Sequence, residues 1–233
     1  ADEDTLGILV AAMAREEHGP NLTLIVKVVT SHYGRRAGPL LAELINDRQE
    51  PGLLADLLEA IGRSDFAELE KTSAGFIDFP HRKVRGAAIL NILRHGHDRG
   101  ILLRAIERLY QDMRDIDPAT RGTAAVVLGR TGLLAFLPAL MAMVDDPVEL
   151  PAVKAINALA HFRHPEVIEF LMSRSSLPGA RGKAIARALS ASAGQERPSL
   201  MKLLHELPEE ERRRIEFWLH APGSNVDGEI IGK

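Results

Sequence analysis

Histidine is the residue in this sequence best suited to ligate a metal or act as a general base, and nine occur among the 233 residues. His95 and His97 are one residue apart, His161 and His164 are two apart, and His81 stands alone. A zinc site needs three or four ligands in a defined geometry. At predicted helix ends, however, an imidazole commonly interacts with free carbonyl groups. We therefore interpret these histidines as helix-end residues and expect no metal and no other cofactor.

Other catalytic patterns are equally sparse. The only His-Glu dipeptide is His205-Glu206, whereas a di-iron centre needs several carboxylate and imidazole ligands. Serine, histidine and aspartate are all present, but no strand–turn–helix context positions a nucleophile. Cysteine is absent, which excludes disulfides, thiolate ligands and a cysteine nucleophile. The sequence therefore predicts a non-catalytic protein.

Basic residues are concentrated in the middle of the chain. Residues 80–130 contain ten lysines and arginines against five aspartates and glutamates, although the formal net charge of the chain is −3. A nucleic-acid groove would need a continuous basic surface with aromatic side chains for stacking. Tyr110 is the one aromatic residue of this segment, and the rest of the chain is acidic. We expect ion pairs on a solvated helix surface rather than nucleic-acid binding. An acidic partner for these residues is an alternative.

The elements that position these residues are predicted to be helices. The clearest unit runs from Asp117 to Asp146. Asp117-Pro118 is typical of a helix start, and Gly129 and Gly132 predict the end of that first helix. Pro138 predicts the start of a second helix that stops before Asp145-Asp146. Such a helix–turn–helix unit buries its apolar face by stacking on copies of itself.

The same unit recurs along the chain. Repeats are predicted to begin near residues 20, 50, 80, 117, 147 and 177, a period of about 30 residues with one longer interval. Three second helices share a Pro-x-Leu start, at Pro39, Pro138 and Pro198. Three first helices share an Arg-x-x-Ala spacing, beginning at Arg85, Arg121 and Arg181.

The predicted organisation is a repeat array with a cap at each end. Residues 1–19 are predicted to form an N-terminal cap helix, 20–206 the array, 207–220 a C-terminal cap helix and 221–233 a flexible tail. No hydrophobic run reaches the length of a bilayer span, and the acidic N-terminus does not match a signal peptide. We expect a cytoplasmic location.

A unit of Asp-Pro, an Arg-x-x-Ala helix ending in Leu-Gly, and a Pro-x-Leu helix ending in Asp-Asp resembles the HEAT-like repeat family. It is closest to the short bacterial variety shared with phycobilin lyases. The resemblance covers residues 20–206 and implies an all-α, right-handed αα superhelix (a HEAT-like solenoid) of about six helix–turn–helix repeats. It also implies that the second helices line a concave face. Such repeats mostly act as scaffolds and binding surfaces, so the resemblance implies a binding role.

The register predicts which residues of the second helices point outward and bind a partner peptide or helix. These candidates are Glu43, Arg104, Arg108, Gln111, Ala142, Met143, Ser173, Lys202 and His205. Met143 and Ala142 would form an apolar spot, although the position of Met143 in the register also fits the core.

We therefore predict a protein-binding scaffold or a regulatory module of a longer chain. A first alternative is a ligand-binding or lyase-like protein with a site in the concave groove, where Arg104 and Arg108 could bind the propionates of a tetrapyrrole. A second alternative is nucleic-acid binding through the basic middle repeats.

Overall fold

The computed structural model describes residues 3–16, 19–47, 50–64, 66–162, 164–191 and residue 209, and within these ranges every regular element is helical. The helices are α1 (Glu3–Arg15), α2 (Gly19–Tyr33), α3 (Ala37–Asp47), α4 (Pro51–Ile61), α5 (Leu69–Ala74), α6 (Arg82–His95), α7 (Arg99–Asp112), α8 (Pro118–Thr131), α9 (Leu137–Met143), α10 (Glu149–Leu159), α11 (Pro165–Ser173) and α12 (179–191). Short 3₁₀ turns at Gly34–Arg36 and Leu134–Phe136 lead into α3 and α9. The predicted all-α class is confirmed.

The chain divides into two compact units, Ala1–Asp115 and Ile116–Lys233, here called the N-terminal and C-terminal units. In the N-terminal unit, α2, α4 and α6 pack in succession, α3 packs on α4, and both α5 and α7 pack on α6. In the C-terminal unit, α8 packs against α10, and α9 packs against both. We call α2, α4, α6, α8, α10 and α12 the first helices, and α3, α5, α7, α9 and α11, which follow them, the second helices.

Neighbouring first helices contact each other at residues about one repeat of 30 residues apart. In the C-terminal unit, a Cβ on Gly122 would lie 3.8 Å from Pro151, and one on Gly129 would lie 2.6 Å from the Cβ of Ala158. The order of these contacts shows that α8 and α10 run in the same direction. In the N-terminal unit, Asn91 of α6 donates to the carbonyl of Leu58 in α4, 33 residues earlier.

We expected Gly129 to end α8, but this residue lies within the helix. The helix continues to Thr131, and Gly132 follows in the left-handed conformation with φ of 70°. Glycine favours that conformation because it has no Cβ to clash with the following peptide. At Gly129 the missing Cβ has a different role, since it allows the backbone of Ala158 to approach closely.

The first helices carry most of the core. In α6, all nine residues from Val84 to Ile92 are buried, so this helix is covered on all sides. In α7, by contrast, only Ala105, Leu109 and Asp112 of 14 residues are buried. A helix buried all round needs neighbours on every face, whereas a helix buried along one stripe leaves the opposite face in water.

None of the described helices combines the length and the apolar character needed to cross a membrane. The predicted C-terminal cap helix and tail, together with the second half of the last repeat, lie outside the described residues apart from residue 209.

Candidate interaction surface on the second helices

The outward positions predicted from the sequence are mostly exposed. Glu43 on α3, Arg104 and Gln111 on α7, Ala142 on α9 and Ser173 at the end of α11 are all exposed. Two of these helices, α3 and α7, belong to the N-terminal unit, and α9 and α11 belong to the C-terminal unit. Lys202 and His205, which were predicted to extend the series, lie outside the described residues.

Met143 is a correction to the predicted surface. Its side chain is 6% exposed and belongs to the core with Leu140 and Val144. The physical reason is its place on α9, where Leu137, Leu140 and Met143 share the buried stripe at helical spacing. Of the predicted apolar pair, Ala142 alone reaches the surface.

Arg104 and Arg108 are both held by carboxylates of the N-terminal unit. Arg104 donates to Asp78, and both side chains are about half exposed. Arg108 donates through Nε and Nη2 to Oδ1 of Asp112, one helical turn onward. Both arginines that were predicted to bind a ligand therefore already contact a carboxylate of the fold.

Asp112 also accepts hydrogen bonds from the buried Arg85, and Arg121 and Asp146 form the same arrangement. The Nε and Nη2 of Arg85 donate to the two carboxylate oxygens of Asp112, both at 3.0 Å. Arg121 donates in the same way to Asp146, at 2.7 and 2.9 Å. In each case the remaining Nη1 donates to a carbonyl five residues earlier, at Pro80 and Ile116.

We call this arrangement the arginine clasp. It joins the start of a first helix to an aspartate at the end of the next helix (Asp112 in α7) or shortly after it (Asp146 after α9). The bidentate pair combines charge with fixed geometry. The sequence signal was the shared Arg-x-x-Ala spacing, which aligned Arg85 with Arg121 but did not identify their aspartate partners.

A further ion pair links the ends of α9 and α11. Arg174 donates to both carboxylate oxygens of Asp145, at 3.2 and 2.9 Å, and its guanidinium lies 4.0 Å from the ring centre of Phe170. The hydrogen bond from Arg174 holds the pKa of Asp145 below its usual value. The corresponding bond from Arg121 does the same for the pKa of Asp146, although burial opposes both shifts.

Four of the ten basic residues in 80–130 are paired with aspartates within the fold. Arg85, Arg104, Arg108 and Arg121 each pair with an aspartate. A paired carboxylate lowers the net positive charge that an arginine offers to a phosphate, although Arg85 and Arg108 share the single carboxylate of Asp112.

His81 and His164 lie at helix ends, but at N-termini rather than beside the free carbonyl groups of a C-terminus. Each stands at the start of a helix, before α6 and α11, and neither side chain makes a capping hydrogen bond. Their Nδ1 atoms are buried without a hydrogen-bond partner. Burial, together with Arg82, Lys83 and Arg85, lowers the pKa of His81. Across the described part of the chain, no group of three or more His, Asp or Glu side chains comes together as a metal-ligand cluster.

An uncharged apolar surface appears where Thr131 to Val144 form the turn and α9. Leu133 and Leu134 are 44% and 58% exposed, and Ala135, Pro138 and Ala142 are exposed beside them. The sequence signal was the absence of charge from this run. It did not show which residues would face water.

Comparison with protein-family models found no match, and a search of curated proteins found no significant relative. The resemblance to HEAT-like repeats accordingly stays a prediction drawn from the repeated residues.

Proposed function

We propose that this chain is a helical-repeat protein that binds a protein partner, as a scaffold or as a regulatory module, through the outward faces of its second helices. The observation that carries the proposal is the contrast between the two helix types. The first helices α4, α6, α8 and α10 each bury half or more of their residues, whereas the second helices α5, α7, α9 and α11 each bury fewer than half. Helices that expose the same face in successive repeats form an extended surface for a peptide or helix.

The proposal includes a HEAT-like solenoid with right-handed connections and a cytoplasmic location. Its support is the recurrence of the same contacts about one 30-residue repeat apart. Examples are the close approach of Gly129 to Ala158 and the arginine clasp at Arg85 and Arg121. The absence of cysteine from the sequence fits a reducing compartment.

A ligand-binding or lyase-like function has weaker support. That alternative relied on Arg104 and Arg108 as partners for ligand carboxylates. Asp78 and Asp112 already accept hydrogen bonds from these guanidinium groups. A ligand carboxylate would compete with these aspartates for the arginines, which costs part of the binding energy.

The test compares three exposed leucines that differ in their place in the fold. Leu103 lies on α7, Leu134 precedes α9, and Leu150 lies on the first helix α10; all three are 46–58% exposed. The full chain and its Leu103→Asp, Leu134→Asp and Leu150→Asp variants are used to co-purify partners from the native host, with identification by mass spectrometry.

We expect one specific partner to be recovered with the wild-type chain and with Leu150→Asp, and to be lost with at least one second-helix variant. Circular dichroism and thermal melting check that each variant stays folded, because an exposed leucine contributes little to the core. Recovery that is lost with Leu150→Asp but kept with both other variants would contradict the proposal.

A further inference from the structure

The outward face of α9 and the turn before it is apolar and carries no charge. Leu134, Pro138 and Ala142 follow one another at four-residue spacing, so they lie on one side of the turn and helix. All three are exposed, and Leu134 at 58% is the most exposed large apolar side chain of this face. The opposite side, with Leu137, Leu140 and Met143, is buried. The exposed row is therefore an available contact surface rather than part of the core.

The outward face of α11 is acidic at the corresponding positions. Glu166, Glu169 and Ser173 are exposed at helical spacing, while Val167, Ile168, Leu171 and Met172 form the buried side. Arg174, which follows the helix, is held by Asp145 and stacked on Phe170, and the Nδ1 of His164 before the helix lies 3.9 Å from the carboxylate of Glu166. The acidic face is thus not neutralised by the arginine that follows it.

An ion pair brings the C-terminal ends of α9 and α11 together within the C-terminal unit. Arg174, directly after α11, pairs with Asp145, two residues after α9, and so fixes the two helix ends next to each other. Arg174 also donates to Ser173. At these ends, α9 with its apolar row lies beside α11, which carries the two exposed carboxylates Glu166 and Glu169.

We propose that this α9–α11 surface binds a cationic amphipathic helix, an inference that rests on the proposed function and specifies its partner. The apolar side of such a helix would cover Leu134, Pro138 and Ala142, and its lysines or arginines would face Glu166 and Glu169. This combination of apolar anchors and a charged flank is the usual way in which a groove selects one amphipathic helix.

A second copy of the chain fits the surface less well. A symmetric dimer presents the same patch from both partners. Such a contact would bring Glu166 and Glu169 of one copy towards the apolar row or the carboxylates of the other, and like charges placed together oppose association. The acidic flank therefore favours a cationic partner.

The experiment measures fluorescence anisotropy of two labelled helical peptides of about 18 residues, roughly five turns, one built from Leu and Lys and the other from Leu and Glu. Binding to the full chain is compared with binding to Leu134→Asp and to the double variant Glu166→Lys/Glu169→Lys. The matched controls are Leu150→Asp on α10 and Glu107→Lys on α7, which make the same chemical changes at other exposed positions.

The Leu/Lys peptide is expected to bind the wild-type chain at least about tenfold more tightly than the Leu/Glu peptide, and Leu134→Asp to weaken that binding about tenfold. The double lysine variant should reverse the preference between the peptides, and both controls should behave as the wild type. Circular dichroism confirms that the variants are folded.

Equal binding of both peptides, or binding that neither variant changes, would overturn the inference. So would a dimer in light scattering that Leu134→Asp converts to monomer, because the surface would then be occupied by a second copy. If the inference fails in these ways while Leu103→Asp still abolishes recovery of the native partner, the proposed function stands with a different surface. If neither native partner nor peptide responds to any second-helix change, both fail.

Discussion

At the scale of single residues, two glycines control how closely the first helices pack. A Cβ on Gly129 would lie 2.6 Å from the Cβ of Ala158 and 3.0 Å from its Cα. A Cβ on Gly62, the equivalent residue two repeats earlier, would lie 2.1 Å from the side chain of Asn91. The atoms facing Gly129 are the Cβ and backbone of Ala158, which cannot move without shifting a helix. The atoms facing Gly62 belong to the side chain of Asn91, which can rotate. Gly129 is therefore the less tolerant of the two positions.

We expect Gly129→Ala to lower the free energy of unfolding by about 1–3 kcal/mol, because the overlap with Ala158 outweighs the gain in helix propensity. Gly52→Ala is the matched control, since Gly52 lies exposed in the first turn of α4 with nothing within 4 Å of its missing Cβ. Urea denaturation should show the control to be as stable as the wild type or more so. Equal stability of the two variants would show that α8 and α10 are not in close contact at this point.

The arginine clasp is the second feature at this scale. The side chains of Arg121 and Asp146 are 12% and 8% exposed, whereas those of Arg174 and Asp145 are 31% and 58% exposed. The adjacent aspartates thus form bidentate pairs of similar geometry with very different burial. Breaking the more buried pair leaves a guanidinium with little access to water, which is costly.

Asp146→Asn should lower the free energy of unfolding by about 1–3 kcal/mol at neutral pH, and Asp145→Asn by less than about 1 kcal/mol. The folded pKa of each carboxyl lies below its unfolded value. Each therefore stabilises the fold above the unfolded pKa of about 4, and this stabilisation is lost as the pH falls through the folded pKa. Chemical denaturation from pH 6 down to about pH 3 should show a weaker pH dependence for Asp146→Asn than for the wild type; parallel curves would contradict the assignment.

At the scale of the elements, the start of α8 is fixed by its cap. The carboxylate of Asp117 accepts hydrogen bonds from the backbone N–H groups of Ala119 and Thr120 and from the hydroxyl of Thr120. Pro118 occupies the first turn, where no N–H is needed. Glu50 holds the equivalent place before α4 but makes no side-chain cap. Both helices begin with a proline, but only at α8 does an N-cap side chain accept hydrogen bonds from the N–H groups of the first turn.

Asp117→Ala is expected to cost about 1 kcal/mol of stability, because it leaves N–H groups of the first turn without an acceptor. Glu50→Ala should change stability by less than about 0.5 kcal/mol, since no capping bond is lost. Thermal and urea denaturation of the two variants provide the comparison. A larger loss for Glu50→Ala would mean that the cap at Asp117 does not determine the helix start.

At the scale of the whole molecule, the charge of the chain is arranged in local pairs. Residues 80–130 are basic in sequence, but Arg85, Arg104, Arg108 and Arg121 each contact an aspartate. Asp78 and Asp146, which complete two of these pairs, come from outside the segment. Counting charges along the chain therefore overstates the positive field that a distant polyanion would meet.

We expect the chain to bind duplex DNA more weakly than the roughly 10⁻⁴–10⁻⁶ M typical of non-specific binders at physiological salt. Fluorescence anisotropy with a labelled duplex at low and at physiological salt measures this. A low-micromolar dissociation constant with a steep salt dependence would contradict the expectation and favour nucleic-acid binding through the middle repeats.

The sequence by itself determined the all-helical class and several helix ends. Asp117-Pro118, Gly132 and Pro138 mark helix ends through local chemistry, which depends on neighbours in the chain. The shared Arg-x-x-Ala spacing aligned the repeats for the same reason. Even the uncharged run that became α9 and its turn was visible in the sequence, as were outward positions such as Gln111 and Ala142.

Only the tertiary structure decided which residues meet across helices. The partners of Arg85 and Arg121 lie 27 and 25 residues further along the chain, too far for local spacing to identify them. Gly129 reads as a helix end in sequence, yet its role is set by the approach of Ala158. Met143 likewise fits either a surface or a core position until α8 and α10 cover its side of α9. Contacts between helices depend on their relative placement, and that placement is a property of the packed chain rather than of any one segment.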